Sequence, residues 1–170
     1  MIFVTVGMHS LGFPRLVRAM DELAATLSEE VVMQIGSTAY LPRHARTFTF
    51  ADQAEMERLY AEARVVVSHA GAGSILTAQK ARVPLILVPR LKQPGEIIDD
   101  HQLELARLLN EAGSAIVVED VGELAQALER ARNFPPIAPA QRLQFIEGLQ
   151  SILAQIEAGR TRRGKAAQRR

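Results

Sequence analysis

Val65-Val66-Val67-Ser68-His69-Ala70-Gly71-Ala72-Gly73-Ser74 is the stretch whose reading decides the fold. Three consecutive β-branched residues read as a strand buried on both faces. The glycines that follow let the chain turn sharply, and Ser74 and its successors begin a helix. A buried strand feeding a helix N-terminus through glycines forms an anion cradle, because unpaired N–H groups and the helix dipole converge there. His69 adds a donor on the strand side. The expected ligand is a nucleoside diphosphate with a further group attached.

Outward from that stretch, short apolar runs alternate with amphipathic segments, which predicts an α/β fold on a mainly parallel sheet. Strands are expected near Ile2–Val6, Val31–Ile35, Thr47–Phe50, Val65–Ser68, Leu85–Val88 and Ala115–Val118. Helices are expected near Pro14–Leu27, Ala54–Ala63, Ser74–Ala81, His101–Ala112 and Gly122–Ala131. The domain is expected over residues 1–133, with a stiff Pro-rich connector at 134–139. A last helix over 140–158 follows, striped by Leu143, Ile146, Leu149, Leu153 and Ile156. The basic tail, 159–170, is expected to be disordered and reads either as a solvated tail or as attracted to anionic headgroups.

The 170 residues are 48% hydrophobic and 23% charged with a formal net charge of +1. One globular domain with a full core is expected, and near-neutrality gives no reason to propose a nucleic-acid partner. The absence of cysteine rules out disulfides and thiolate chemistry. With no signal-peptide pattern and no apolar run near the roughly 20 residues that span a bilayer, a cytoplasmic protein is expected. Any membrane contact would then be peripheral or borrowed from a partner.

Ligands of such sheets bind outside the carboxyl ends of the strands. Those ends carry Gly7-Met8-His9-Ser10, Gln34-Ile35-Gly36-Ser37, Phe50-Ala51-Asp52-Gln53, the His69 run and Pro89-Arg90. Glu96 and then Asp99-Asp100-His101-Gln102 follow the last of these. One edge thus collects hydrogen-bonding groups from five strands while the strand interiors stay apolar.

Taken jointly, Ser68-His69-Ala70-Gly71-Ala72-Gly73-Ser74-Ile75-Leu76, Pro84-Leu85-Ile86-Leu87-Val88-Pro89-Arg90, Gly95-Glu96 and Asp100-His101-Gln102-Leu103 resemble the donor-binding domain of glycosyltransferase family 28. The opening Phe3-Val4-Thr5-Val6-Gly7, residues Arg15 to Asp21 and Gln34-Ile35-Gly36 fit a subgroup of short PssE-type bacterial exopolysaccharide glycosyltransferases. Their eukaryotic relative is the small cytosolic subunit of a transferase acting on dolichol-linked oligosaccharide. The resemblance covers roughly residues 1 to 120. It implies a single doubly wound, Rossmann-like parallel sheet equivalent to the C-terminal half of a GT-B glycosyltransferase.

By the same resemblance, His69, Gly71, Ala72, Gly73 and Ser74 would hold the diphosphate of a UDP-sugar. The turn from Phe50 to Gln53 would border the uracil, and Asp100, His101 and Gln102 would reach the sugar hydroxyls. Gly7 would line the cleft floor, beside His9, Gln34 and Gly36. Two departures stand out. Thr77 occupies a position where many relatives carry a ribose-binding Glu, so ribose contact is expected to shift to Glu96 or to backbone. Arg82 replaces a common glycine, so that helix end needs a cap other than an αL glycine.

The histidines admit bland readings as well. His69 reads as a ligand-facing donor or as a core histidine satisfied by backbone. His101 and Gln102 read as sugar-facing groups or as helix-opening residues after an Asp99-Asp100 cap. His9 reads equally as a ligand group or a turn residue, and His44 reads as part of a solvated loop. The four histidines show no metal spacing and no Asp-x-Asp pair is present, so no metal or other cofactor is expected.

Inverting transfer needs stabilisation of departing UDP and a base for the acceptor hydroxyl. The glycine turn, His69 and Arg90 are expected to supply the first. Arg90 is also expected to suit the carboxylate of UDP-glucuronic acid; UDP-N-acetylglucosamine suits the eukaryotic relative. The base is not evident, since the sequence reads as a donor half alone. A membrane-anchored, acceptor-binding subunit and a lipid-linked sugar acceptor are therefore expected partners. That places the chain at the cytoplasmic face of the membrane. Two alternatives stand beside this reading: a non-enzymatic nucleotide-sugar-binding regulatory subunit, and an NAD-dependent oxidoreductase. The missing third glycine of a dinucleotide fingerprint counts against the latter.

Overall fold

The structure is a computed structural model that describes residues 1–136, except Pro94, Asp99 and Asp100, together with Ile146, Glu147, Gln150, Ser151 and Ala154. The chain divides into one unit over Met1–Ile137 and a second over Ala138–Arg170. In the second unit the five described positions are helical. Of the connector expected at 134–139, residues 137–139 lie outside the described residues, as do the tail from 159 and most of the helix expected at 140–158.

In the first unit the six expected strands form one all-parallel sheet: β1 (Ile2–Thr5), β2 (Val31–Gln34), β3 (Arg46–Phe48), β4 (Val65–Ser68), β5 (Leu85–Leu87) and β6 (Ile116–Val117). Their order is β3-β2-β1-β4-β5-β6. Strands are therefore added outward from β1 on one side and from β4 on the other, and at this switch in winding a doubly wound sheet opens its ligand crevice. Register puts Thr5 beside both Gln34 and Ser68, so three polar residues end three adjacent buried strands.

The helices are α1 (Pro14–Ala24), α2 (Gln53–Glu62), α3 (Ala72–Ala81), α4 (His101–Glu111) and α5 (Leu124–Arg130), the last flanked by single 3-10 turns. Alternation along the strands sorts the core. Ile2, Val4, Val65, Val67 and Ile86 pack with Leu16, Val17 and Met20 of α1 and Leu124 and Leu128 of α5. Phe3 points the other way and meets Tyr60 of α2 edge-on, with ring centroids 5.3 Å apart. Burying each such aliphatic or aromatic side chain contributes about 1.5–3 kcal/mol.

Local chemistry sets the helix ends. Pro14 starts α1, where its missing N–H costs nothing, and Asp52 caps α2 by accepting from the Glu55 N–H at 2.8 Å. At the end of α3, Arg82 itself takes the left-handed conformation, with φ 55 and ψ 42. The αL cap survives there without its usual glycine.

Candidate functional site

The turn after β4 brings backbone donors to the carboxyl edge. Gly71 precedes α3, and the first intrahelical bond runs from the Ile75 N–H to the Gly71 carbonyl at 3.1 Å. The N–H groups of Ala72, Gly73 and Ser74 therefore have no acceptor within the helix. The helix begins two residues earlier than its sequence suggests, so the glycine run is itself the first turn. A Cβ on Gly73 would meet nothing within 4 Å, so the backbone there is open to a ligand.

His69 lies across this turn. Its imidazole sits between two glycines: a Cβ on Gly7 would stand 2.5 Å from Cε1, and one on Gly71 would stand 2.2 Å from Nε2. Burial pushes its pKa down to about 4, with the nearby Arg90 charge acting in the same direction. The ring is therefore neutral at physiological pH and offers one N–H donor and one acceptor. The Ser68 hydroxyl lies 3.4 Å from Nδ1.

Gln34 fixes the opposite wall. Its Oε1 accepts from the Thr5 hydroxyl at 2.7 Å and from the N–H groups of Val6 and Gly7 at 3.2 and 3.1 Å. Its Nε2 donates to the Gly7 and Thr49 carbonyls at 3.0 and 2.9 Å. The amide is thus spent on holding the loop after β1, in which Gly7 takes φ +73. Gly36 packs beneath that loop, where a Cβ would come 2.9 Å from the Gly7 carbonyl.

Between these walls is a cleft of about 590 Å³. Of the expected site residues it brings together Gly7, Gln34, Phe50, Gln53, His69, Gly73, Ser74 and Thr77. Sequence reasoning missed Met8, Met56, Glu57 and Tyr60, which also line it. Met56 and Tyr60 stand four apart on α2, and that spacing after the Phe50 turn was the available signal. Burial pushes the Tyr60 phenol up to about 12, against the effect of a side-chain hydrogen bond with Ser74. The Thr77 hydroxyl donates back to the Gly73 carbonyl at 2.9 Å.

Other expected residues stand elsewhere. Arg90 is fully buried; its guanidinium donates to the carbonyls of Gly12, Val6 and Glu96 and stacks 4.6 Å from the Phe13 ring centroid. A side chain engaged this way braces the β1–α1 loop and does not face the cleft. Glu96, expected as a ribose ligand, is 6% exposed. Arg15 grips its carboxylate with two 2.9 Å bonds, and the Leu91 N–H donates to it at 3.0 Å. Gln102 accepts the Arg90 N–H at 3.1 Å through Oε1, which ties the start of α4 to the end of β5. His9 Nδ1 accepts the Leu11 N–H at 3.2 Å within its own turn. His101 opens α4, outside the cleft lining, and Asp100 lies outside the described residues.

The family model described as the glycosyltransferase family 28 C-terminal domain matches residues 1–156. The chain belongs to glycosyltransferase family 28. This family 28 domain is 34% identical over 144 residues to the UDP-N-acetylglucosamine transferase subunit ALG13 of Eremothecium gossypii, covering 82% of the chain and 69% of that relative. Other curated relatives of that description are matched over 48% of their length or less. Among solved structures, the calicheamicin glycosyltransferase CalG4 superposes with a TM-score of 0.61 at 21% identity, over 91% of this chain and 43% of that one. The solution structure of ALG13 gives 0.59 at 18% identity, over 85% of this chain and 92% of that one. At these identities the structural matches establish the fold: the sheet of one half of a GT-B glycosyltransferase.

Proposed function

We propose that this domain binds a UDP-sugar and acts as the donor-binding, catalytic subunit of a two-component, inverting glycosyltransferase. The observation that carries the reading is the first turn of α3, whose leading N–H groups have no acceptor within the helix and whose Gly73 and Ser74 line a cleft beside His69. An acceptor hydroxyl attacks the anomeric carbon, the C1–O bond to the diphosphate breaks, and UDP leaves with its electron pair. The acceptor proton passes to a base supplied by the partner. The helix N-terminus, beside His69, stabilises the departing oxygens, so metal-independent transfer is proposed. Removing one such donor typically costs about two to three orders of magnitude in rate.

UDP-N-acetylglucosamine is favoured over UDP-glucuronic acid as donor. Arg90, the cation expected for a glucuronate, is fully buried and committed to backbone carbonyls, while the curated relative is described as a UDP-N-acetylglucosamine transferase subunit. The word subunit in that description also supports a partner, for which an acceptor-binding membrane protein is proposed, with a lipid-linked sugar as acceptor. The apolar rim supports it further: Met8 is 87% exposed and Phe50 53%. No helix among the described residues is long and apolar enough to cross a membrane, so anchoring falls to the partner in this reading.

Calorimetry with UDP in excess EDTA tests donor binding, and transfer from a panel of UDP-sugars, with and without the partner, tests the rest. Absence of UDP binding, or a strict metal requirement for it, overturns the donor site. Turnover by the isolated chain that a partner does not raise overturns the two-component reading.

A further inference from the structure

We infer that Glu57, on α2, is the residue that reads the ribose diol of the bound nucleotide and so discriminates ribonucleotides from 2′-deoxyribonucleotides. The inference rests on the UDP-sugar reading above and names a ligand contact that the sequence did not suggest.

The other polar side chains of the cleft are already engaged. Both ends of the Gln34 amide hold the Gly7 loop, and the Thr77 hydroxyl donates to the Gly73 carbonyl. Ser74 pairs with Tyr60. Glu57 differs. Its Oε1 takes both protein donors, Lys80 Nζ at 2.9 Å and Gln53 Nε2 at 3.0 Å. Among the described residues no protein donor reaches Oε2.

Glu57 is also the one carboxylate among the residues lining the cleft. Next to a diphosphate a carboxylate repels, so its use must lie where the ligand is neutral and offers donors. A vicinal diol supplies two O–H donors to the two oxygens of one carboxylate, and charged acceptors make the stronger hydrogen bonds.

The placement fits. Thr77 follows Gly73 by about one helical turn, and Lys80, which tethers Glu57, by about two. Glu57, held by Lys80, is therefore reached further along α3 from the anion cradle, and Phe50 and Met56, whose apolar surfaces suit a base, line the same cleft.

The test is calorimetry of UDP against 2′-deoxy-UDP on the full chain in EDTA, with Glu57→Ala and Glu57→Gln. The parent should bind UDP at least about tenfold more tightly than 2′-deoxy-UDP, as expected for one lost charged hydrogen bond. Glu57→Ala should bind the two alike, within about twofold, with most of the loss falling on UDP. Glu57→Gln keeps the shape, removes the charge and should lose several-fold of the discrimination; it decides the matter should the alanine variant fail to fold. Parent protein that binds UDP without discriminating, or a folded variant that discriminates as well as the parent, overturns the role of Glu57 and leaves the donor site standing. Parent protein that binds neither nucleotide overturns the donor site itself.

Discussion

The imidazole of His69 lies where a side chain on Gly71 would have to be, its Nε2 only 2.2 Å from the Cβ position. Gly71 has φ −92 and ψ 133, a conformation open to any residue, so the demand for glycine there is one of space. The atoms in the way belong to a ring that can rotate. An added methyl therefore displaces His69 before it disrupts the fold.

Gly71→Ala is expected to behave as a His69 variant. Each of Gly71→Ala and His69→Ala should weaken UDP binding by about tenfold, the value of one hydrogen bond to a charged group. The double variant should be no worse than either single one, because both remove the same contact. Additive losses in the calorimetric cycle would show that Gly71 contacts the nucleotide independently.

Acid should expose the buried imidazole. The folded-state pKa of His69 is depressed to about 4 from 6.5, so the unfolded chain takes up the proton first as pH falls. The contribution of this group is fully present above pH 6.5 and is lost progressively down to pH 4. Urea midpoints at pH 7 and pH 5 should therefore fall further apart in the parent than in His69→Asn. Equal pH dependence in the two proteins would contradict the buried, neutral ring.

Arg90 should prove structural. Arg90→Met removes the guanidinium from three backbone carbonyls, those of Val6, Gly12 and Glu96, and leaves buried acceptors without donors. Leaving a buried acceptor without its donor costs about 1–3 kcal/mol, so a clear loss of stability is expected in equilibrium urea unfolding. A variant as stable as the parent but devoid of transfer would return Arg90 to the chemistry.

The end of α3 offers the opposite sign. Arg82 holds a left-handed conformation that penalises any residue with a Cβ. Arg82→Gly should raise stability by about 1 kcal/mol, visible as a higher thermal midpoint with unchanged UDP affinity. A lower midpoint would mean that the arginine side chain supports the cap in another way.

All six strands and five helices of the domain were legible in the sequence, because continuous apolar runs and helical periodicity are local signals that burial of a parallel α/β sheet imposes. The family was legible too, since the run from Ser68 to Leu76 must satisfy strand, turn and helix N-terminus within nine residues. The turn between β4 and α3 was legible for the same reason, although α3 begins two residues earlier than expected: it is made by backbone, and backbone follows local sequence.

Side-chain allegiance was decided only by the tertiary structure. Arg90 and Glu96 lie just past β5, on the edge where ligands bind, and nothing local says whether such a side chain turns to the cleft or under the neighbouring loop. Packing of α1 answered it: Phe13, Arg15 and the Gly12 carbonyl draw both residues inward. Glu57 shows the converse. As a charged residue amid an amphipathic helix it reads as solvated surface, and only the approach of α2 to α3, recorded in its bond to Lys80, places it in the cleft. Sequence specifies which elements form because their signals are periodic and near-neighbour. Which polar group faces a ligand depends on contacts between residues distant in the chain, and those exist only once the sheet is wound.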